Sequence, residues 1–282
     1  MARVRGHSVT LLEQTDRLGG RLRTAAAGAG RERLARIVDW LIAECTELDV
    51  RVQLGTAVDA DALRAAGADV ILATGSLDGA RTYAVSDDAS SAVRTAAEVL
   101  DAVGASTLEQ LPSGRVVIWD PVGGPIAISI AETLVAAGRP VALVTPDPVA
   151  GNDLSRSGDL APANSRLQAA GVILAKHSVL RSVEPGSVTV EHRLTGEQRQ
   201  LPAELVVDAG FRLPNEQLWR TLDEDTLRAG DEVAPRTVYE ALLEARQAVF
   251  ELDARPMPRR PAARSGTTVP AAPPAVLTGA GR

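Results

Sequence analysis

Five short apolar runs constrain the fold of this chain more than any other feature. They are Ser8-Val9-Thr10-Leu11-Leu12-Glu13, Asp69-Val70-Ile71-Leu72-Ala73, Arg115 to Trp119, Pro140 to Val144 and Leu205 to Asp208. Most are continuous rather than alternating, as expected of strands buried on both faces of a parallel sheet. Parallel strands need crossover connections, usually helical. Helical stretches are indeed present. Arg31 to Leu48 places Leu34, Ile37, Val38, Leu41 and Ile42 at helical spacing, and Asp59 to Ala66, Ala96 to Val103 and Pro125 to Ala137 read as further helices. Val50 to Leu54 reads as a short strand. Residues 172–207 read as strand-rich, with Glu184-Pro185-Gly186-Ser187 as a hairpin turn. Leu227 to Asp231 reads as a short strand and Arg236 to Leu252 as a helix. The class is α/β.

Composition narrows the function. The 282 residues are enough for two domains, and 45% are hydrophobic while only 2% are aromatic. Aliphatic residues must therefore build the core, which suits α/β layers and leaves no base-stacking surface. A net charge of −6 adds to the case against nucleic acid as a partner. No apolar run is long enough to span a membrane, so no membrane role and a cytoplasmic location are expected. The lone cysteine, Cys45, cannot form an internal disulfide or a metal cluster and reads as a buried structural thiol. His7, His177 and His192 are scattered without metal-ligand spacing, so no metal site is expected.

Four local patterns carry chemistry. Glu13 ends a strand and is followed by Leu18-Gly19-Gly20-Arg21. An acid at the end of the second strand of a dinucleotide-binding βαβ unit bonds ribose hydroxyls, and glycines let backbone approach phosphates. Taken alone, an exposed acid before a Gly-Gly turn explains this pattern equally well. Ala73-Thr74-Gly75 is a small-residue strand end. Val206-Val207-Asp208-Ala209-Gly210-Phe211-Arg212-Leu213-Pro214-Asn215 repeats that logic. Gly230-Asp231, with Ala234-Pro235-Arg236, places a carboxylate at a strand end before a helix, where it either accepts a sugar hydroxyl or serves as a helix-end acid.

Together these four patterns resemble the flavoprotein disulfide reductase superfamily. More narrowly, residues from about 4 to 253 resemble the C-terminal flavin/nicotinamide half of old-yellow-enzyme-type oxidoreductases, such as 2,4-dienoyl-CoA reductase and trimethylamine dehydrogenase. The resemblance implies two Rossmann-like dinucleotide-binding domains, the second inserted in the first. Residues 1–109 and 201–254 would form an FAD-binding-type domain and 110–200 an NAD(P)-binding-type insert. Residues 255–282 read as a disordered tail. The strand from Leu205 is expected to rejoin the sheet begun at Ser8.

The resemblance also implies site roles. Glu13 would bind the adenosine ribose, and Gly19, Gly20 and Arg21 would lie near the adenosine phosphates. Thr74 and Gly75 would approach the dinucleotide. Gly230-Asp231 would hold the flavin ribitol, and Ala234-Pro235-Arg236 would open a helix aimed at the flavin. The chain departs from the family pattern in having only seven residues before its first strand, so the first βα unit and its glycine turn are expected to be missing. FAD should then bind weakly or not at all. The family's FMN barrel is a partner or N-terminal domain not represented in these residues.

In the nicotinamide half, Asp120-Pro121-Val122-Gly123-Gly124-Pro125-Ile126-Ala127 stands where G-x-G-x-x-G is expected. Val122 takes the first glycine position and Gly124 the second. NAD(P) is thus a second candidate cofactor, with Gly124 its contact. The expected function is an electron-transfer module of an NAD(P)H-dependent flavin oxidoreductase, with no catalytic acid–base pair of its own. The alternative is a non-catalytic nucleotide-binding or structural remnant used for subunit packing.

Overall fold

A computed structural model describes residues 1–222 and 225–255. Its center is a five-stranded sheet in the order Val93–Thr95, Leu205–Asp208, Val116–Trp119, Val141–Val144 and Ile173–Ala175, with every neighboring pair parallel. The period-2 alternation of strands fills two cores at once. Val116, Ile118, Leu143, Leu205 and Val207 face one layer, where they meet Val99, Ile128, Leu134 and Leu167 of the helices Ala96–Gly104, Pro125–Ala136 and Leu160–Ala169. Val117, Trp119, Ala142, Val144 and Val206 face the other. There they meet an antiparallel meander, Ser178–Glu184, Ser187–His192 and Gln198–Pro202, extended by Ala84–Val85. The Glu184-to-Ser187 hairpin lies where expected.

Three smaller ribbons complete the chain. Thr10–Leu12 pairs in parallel with Arg51–Gln53, and Ile71–Leu72 pairs in parallel with Leu227–Arg228. Ser76–Asp78 pairs antiparallel with Arg212–Pro214. Helices Gly20–Ala26, Arg33–Glu47, Ala60–Ala66 and Val238–Ala254 pack around them. Asp59 caps Ala60–Ala66 by accepting from the Ala62 amide at 2.8 Å. Among the described residues no helix is long and apolar enough to cross a membrane.

The strand Leu205–Asp208 corrects one expectation. It does not rejoin Thr10–Leu12 but lies inside the central sheet, between Val93–Thr95 and Val116–Trp119. The reason is burial. Leu205, Val206 and Val207 are all fully buried and alternate between the two cores, a setting only the interior of the five-stranded sheet provides. That sheet therefore takes in strands on both sides of residues 110–200. Two smaller differences follow from turn chemistry. Leu227–Arg228 stops early because Gly230–Glu232 forms a 3-10 turn with Gly230 at φ +74°. Cys45 is half-buried, not buried. The expected tail lies outside the described residues apart from Arg255.

Two positions where sequence chemistry sets the backbone yield tests. Gly19 has φ +116°, and a Cβ there would stand 2.6 Å from Val38 Cγ1 of the Arg33–Glu47 helix. Gly19→Ala should therefore destabilize the protein by about 1–3 kcal/mol in urea unfolding, through strain and overpacking together. Asp120, at the end of Val116–Trp119, is 1% exposed. Burial pushes its carboxyl up to about 7, the nearby Asp147 adds to this, and hydrogen bonds from the Gly123 and Val122 amides oppose it. The native state then holds a proton that the unfolded state releases from about pH 4 upward, so this group lowers stability as pH rises to about 7, by roughly 1.4 kcal/mol per unit of pKa difference. Asp120→Asn keeps the acceptor and cannot ionize. The stability difference between variant and parent should shift toward the variant from pH 4 to pH 8. A pH-independent difference in urea midpoints would refute this.

Candidate functional site

Polar groups converge where the Ser76–Asp78/Arg212–Pro214 ribbon meets the ends of Ile71–Leu72 and Leu227–Arg228. The turn after Ile71–Leu72 exposes Ala73 and Thr74 and passes through Gly75 at φ +78°. The Gly75 carbonyl accepts from the Asn215 amide at 3.0 Å. The Thr74 hydroxyl lies against the Glu232 carboxyl and 3.2 Å from the Asn215 carbonyl. Ser76 Oγ donates to Asp231 Oδ2 at 2.8 Å, and Arg212 Nη1 lies 3.7 Å from the same oxygen. Arg212 Nη2 also donates to the Ser76 carbonyl at 3.1 Å. The two separate sequence patterns, Thr74-Gly75 and Gly230-Asp231, are thus brought together.

Arg212 is the residue that sequence reasoning placed in a motif but gave no role. Its Nε is buried without a hydrogen-bond partner. Burial and then the neighboring Arg21 guanidinium hold it below the ordinary arginine range, while Asp231 and Asp78 pull it back up. Arg21 is itself exposed. Two guanidiniums within electrostatic reach of each other form a positive pole with donor capacity to spare. Only this electrostatic link brings the Leu18-Gly19-Gly20-Arg21 stretch to the cluster. A second missed residue is Glu232. It is fully buried, Oε1 has no partner, and burial together with Glu216 pushes its carboxyl up to about 7 against the pull of Arg228. Arg228 in turn stacks 3.7 Å over the Trp219 ring and bonds Glu216 at 3.2 Å.

The other expected residues divide by role. Glu13 is half-exposed, and its carboxylate accepts from the Thr15 amide and hydroxyl, both at 2.8 Å through Oε1. Its other oxygen remains free for a ligand. Gly19 is required by helix packing, as shown above, whereas Gly20, at φ +44°, faces open space. Gly230 donates its amide to Glu244 Oε2 at 2.9 Å. The Ala234-Pro235-Arg236 expectation is corrected. The helix opens two residues later, at Val238, and Thr237 and Glu240 form a capping box that occupies its first donors. Arg236 precedes the helix and pairs with Glu244.

The turn after Val116–Trp119 explains its departure from a glycine-rich pattern. Asp120 Oδ1 accepts from the Gly123 amide at 2.8 Å and the Val122 amide at 3.3 Å. Two backbone donors that a phosphate could use are therefore held within the turn. Gly123, at φ +71°, lies so close to Asp147 that a Cβ would stand 2.8 Å from its carboxylate. Gly124 has ordinary extended backbone and room for a Cβ, the nearest atom being Val122 Cγ1 at 3.8 Å. This end of the central sheet is acidic and internally satisfied, so it does not fit a dinucleotide phosphate as it stands. Asp208 is likewise absorbed, accepting from Tyr83 Oη at 2.7 Å and from the Gly210 amide at 2.8 Å.

No family model matches the chain. It is 30% identical over 241 residues to an N,N-dimethylglycine/sarcosine dehydrogenase of Chromohalobacter salexigens, covering 82% of this chain and 33% of the relative. It is 29% identical over 215 residues to a multifunctional alkene reductase/demethylase OYE of Caballeronia cordobensis, covering 72% and 30%. Histamine dehydrogenase from Rhizobium sp. 4-9 superposes with TM-score 0.80 at 22% identity, over 92% of this chain and 42% of that one. Thioredoxin reductase of T. acidophilum superposes with TM-score 0.66 at 12% identity, over 90% and 92%. The chain spans about a third of the length of the two relatives matched by sequence. Its α/β architecture is that of the flavoprotein disulfide reductase type. By sequence and fold the chain belongs to the old-yellow-enzyme-type oxidoreductases of the trimethylamine dehydrogenase and 2,4-dienoyl-CoA reductase kind, of which it represents the C-terminal half with its FAD/NAD(P)-binding fold.

Proposed function

We propose that the chain is an FAD-binding electron-transfer module of such an oxidoreductase, working with an FMN-bearing barrel. The observation that carries this reading is the pairing of Arg21 and Arg212 with the Ser76–Asp231 contact at the ends of two parallel ribbons. The residues fit FAD chemically. The orphaned Arg212 Nε and the exposed Arg21 would meet the diphosphate, since charge-assisted bonds to phosphate are the strong ones. Asp231 would accept a ribitol hydroxyl while Ser76 holds its orientation. Glu13 would accept the adenosine ribose hydroxyls through its free oxygen. FAD, when bound, would supply the redox chemistry, and the protein would supply position and electrostatics. Dehydrogenase and reductase activities are printed for the relatives alone, and their substrates are not assigned to this chain.

A second reading has its own observation. Asp120 holds the donors that a nicotinamide dinucleotide would need, which supports a packing role for the central sheet. On this reading FAD would be the only dinucleotide, and NAD(P) would not bind at Gly124.

Titration of the purified chain with FAD tests the first reading. Arg212→Ala and Asp231→Ala should each weaken binding by about 1–3 kcal/mol, roughly 5- to 150-fold, with the chain still folded by circular dichroism. Asp231→Asn should retain more affinity than Asp231→Ala because it keeps an acceptor. Equal affinities in all the variants would overturn the assignment. A parallel NADPH titration decides the second reading, since Asp120→Ala should create binding only if the turn is otherwise competent.

A further inference from the structure

Two half-finished ribbons face each other across the end of one helix. Thr10–Leu12 has a single partner strand, Arg51–Gln53, and Ile71–Leu72 has a single partner, Leu227–Arg228. The Val9 carbonyl accepts from the Arg51 amide at 3.1 Å, and the Glu13 amide donates to the Gln53 carbonyl at 2.9 Å. Alternate residues of a parallel strand point their peptide groups to opposite edges. Thr10 and Leu12 therefore turn theirs away from Arg51–Gln53. By the same logic, the Leu72 carbonyl accepts from the Ala229 amide at 2.9 Å, and Ile71 turns away from Leu227–Arg228. Leu12 is 37% exposed, although parallel strands are ordinarily covered.

The helix Val238–Ala254 fixes how these edges relate. Asp253 contacts Arg5 and His7, with His7 Nε2 2.6 Å from Asp253 Oδ1, just ahead of Thr10–Leu12. Arg255 Nη1 lies 3.9 Å from Asp69 Oδ1, just ahead of Ile71–Leu72. Both strands thus begin at the C-terminal end of this helix and run the same way.

We propose that the C-terminal stretch Ala275-Val276-Leu277-Thr278 of this same chain adds as a parallel strand between Thr10–Leu12 and Ile71–Leu72, joining the two ribbons into one five-stranded sheet. Residues 256–274 supply the connection and reach about 60 Å when extended, far more than a start beside Arg255 requires. They hold Pro256, Pro258, Pro261, Pro270, Pro273 and Pro274, which cannot donate to a ladder, whereas residues 275–278 are free of proline and apolar. Leu227–Arg228, the helix Val238–Ala254 and the added strand then form a βαβ crossover, the connection parallel strands demand. Gly279-Ala280-Gly281 follows at the strand ends where Glu13, Thr74 and Gly75 lie, in place of the glycine turn expected ahead of residue 8. The placement does not depend on nucleotide binding.

Hydrogen–deuterium exchange on the full chain tests it, with no cofactor present. In Leu277→Pro, amides of residues 8–13 and 70–73 should exchange about tenfold or more faster than in the parent, while those of Val116–Trp119 keep their protection as a folding control. Unchanged exchange at 8–13 and 70–73 overturns the proposal. A second measurement uses Leu12→Cys and Leu277→Cys with Cys45→Ser and a short bis-maleimide. A monomeric cross-link at a yield independent of protein concentration supports the proposal, whereas a dimeric cross-link, or none, overturns it.

Discussion

A parallel sheet is stable only when both faces are covered and its inner edges are paired, because its strands expose apolar side chains on each side and unpaired peptide groups along each edge. The central sheet meets this condition. Helices cover one face and the antiparallel meander the other, so Val116, Val117, Ile118, Leu205, Val206 and Val207 are all inaccessible to water. The two-stranded ribbons at Thr10–Leu12 and Ile71–Leu72 do not. Arg51, Val52 and Gln53 are exposed along the whole strand. The rest of the molecule follows from this contrast. One half is a saturated core, and the other is an arrangement of short ribbons held by helix contacts and surface ion pairs, which individually contribute little.

The same contrast sorts the polar groups. Where packing is saturated, carboxylates are consumed locally. Asp120 ties its own turn, and Asp208 ties Tyr83 and the Gly210 amide. Where packing is open, charges are left with unspent capacity. Arg212 keeps a buried Nε without a partner, Glu232 keeps a buried Oε1 without one, and Arg21 stands in solvent. An unpaired buried donor costs free energy in the folded chain. A ligand that supplies the missing acceptor recovers that cost, which is why Arg212 weighs more in the functional reading than any glycine of the sequence patterns.

Much of the fold was legible because the apolar runs are long enough to distinguish. Val116–Trp119, Val141–Val144 and the Pro125–Ala136 helix lie where their patterns place them. The ribbons Ser76–Asp78 and Arg212–Pro214 were not, because neither carries an apolar period and their pairing is set by contacts distant in sequence. The sheet membership of Leu205–Asp208 was misread for a related reason. Its small-residue strand end matches that of Ile71–Leu72 in letters, and only two-sided burial distinguishes a central strand from one in a thin ribbon. At the site, Thr74 and Asp231 were legible as strand-end residues. Glu232 was not, since no local pattern distinguishes a buried acid in a turn from an exposed one. The helix start at Val238 had a readable signal, the Thr237-to-Glu240 capping spacing, which outweighs the preceding Ala234-Pro235-Arg236.

Evolution of one half of such a fold need not track the other. The turn at Asp120 shows how a phosphate site closes without disturbing its sheet. A carboxylate placed one residue past the strand takes the amide donors, burial keeps it from needing a counter-ion by favoring its neutral form, and the helix at Pro125 begins as before. The sheet around it gains nothing from a ligand, because its cores are already full. The ribbons are in the opposite position. Their stability rises with whatever pairs their free edges and neutralizes Arg21 and Arg212, since anything that binds only the folded state stabilizes it by mass action. Strand pairing and anion binding at that end are therefore thermodynamically coupled. A chain that orders the edge between Thr10–Leu12 and Ile71–Leu72 pre-pays part of the cost of organizing the anion site, and an anion bound there holds the edge in register.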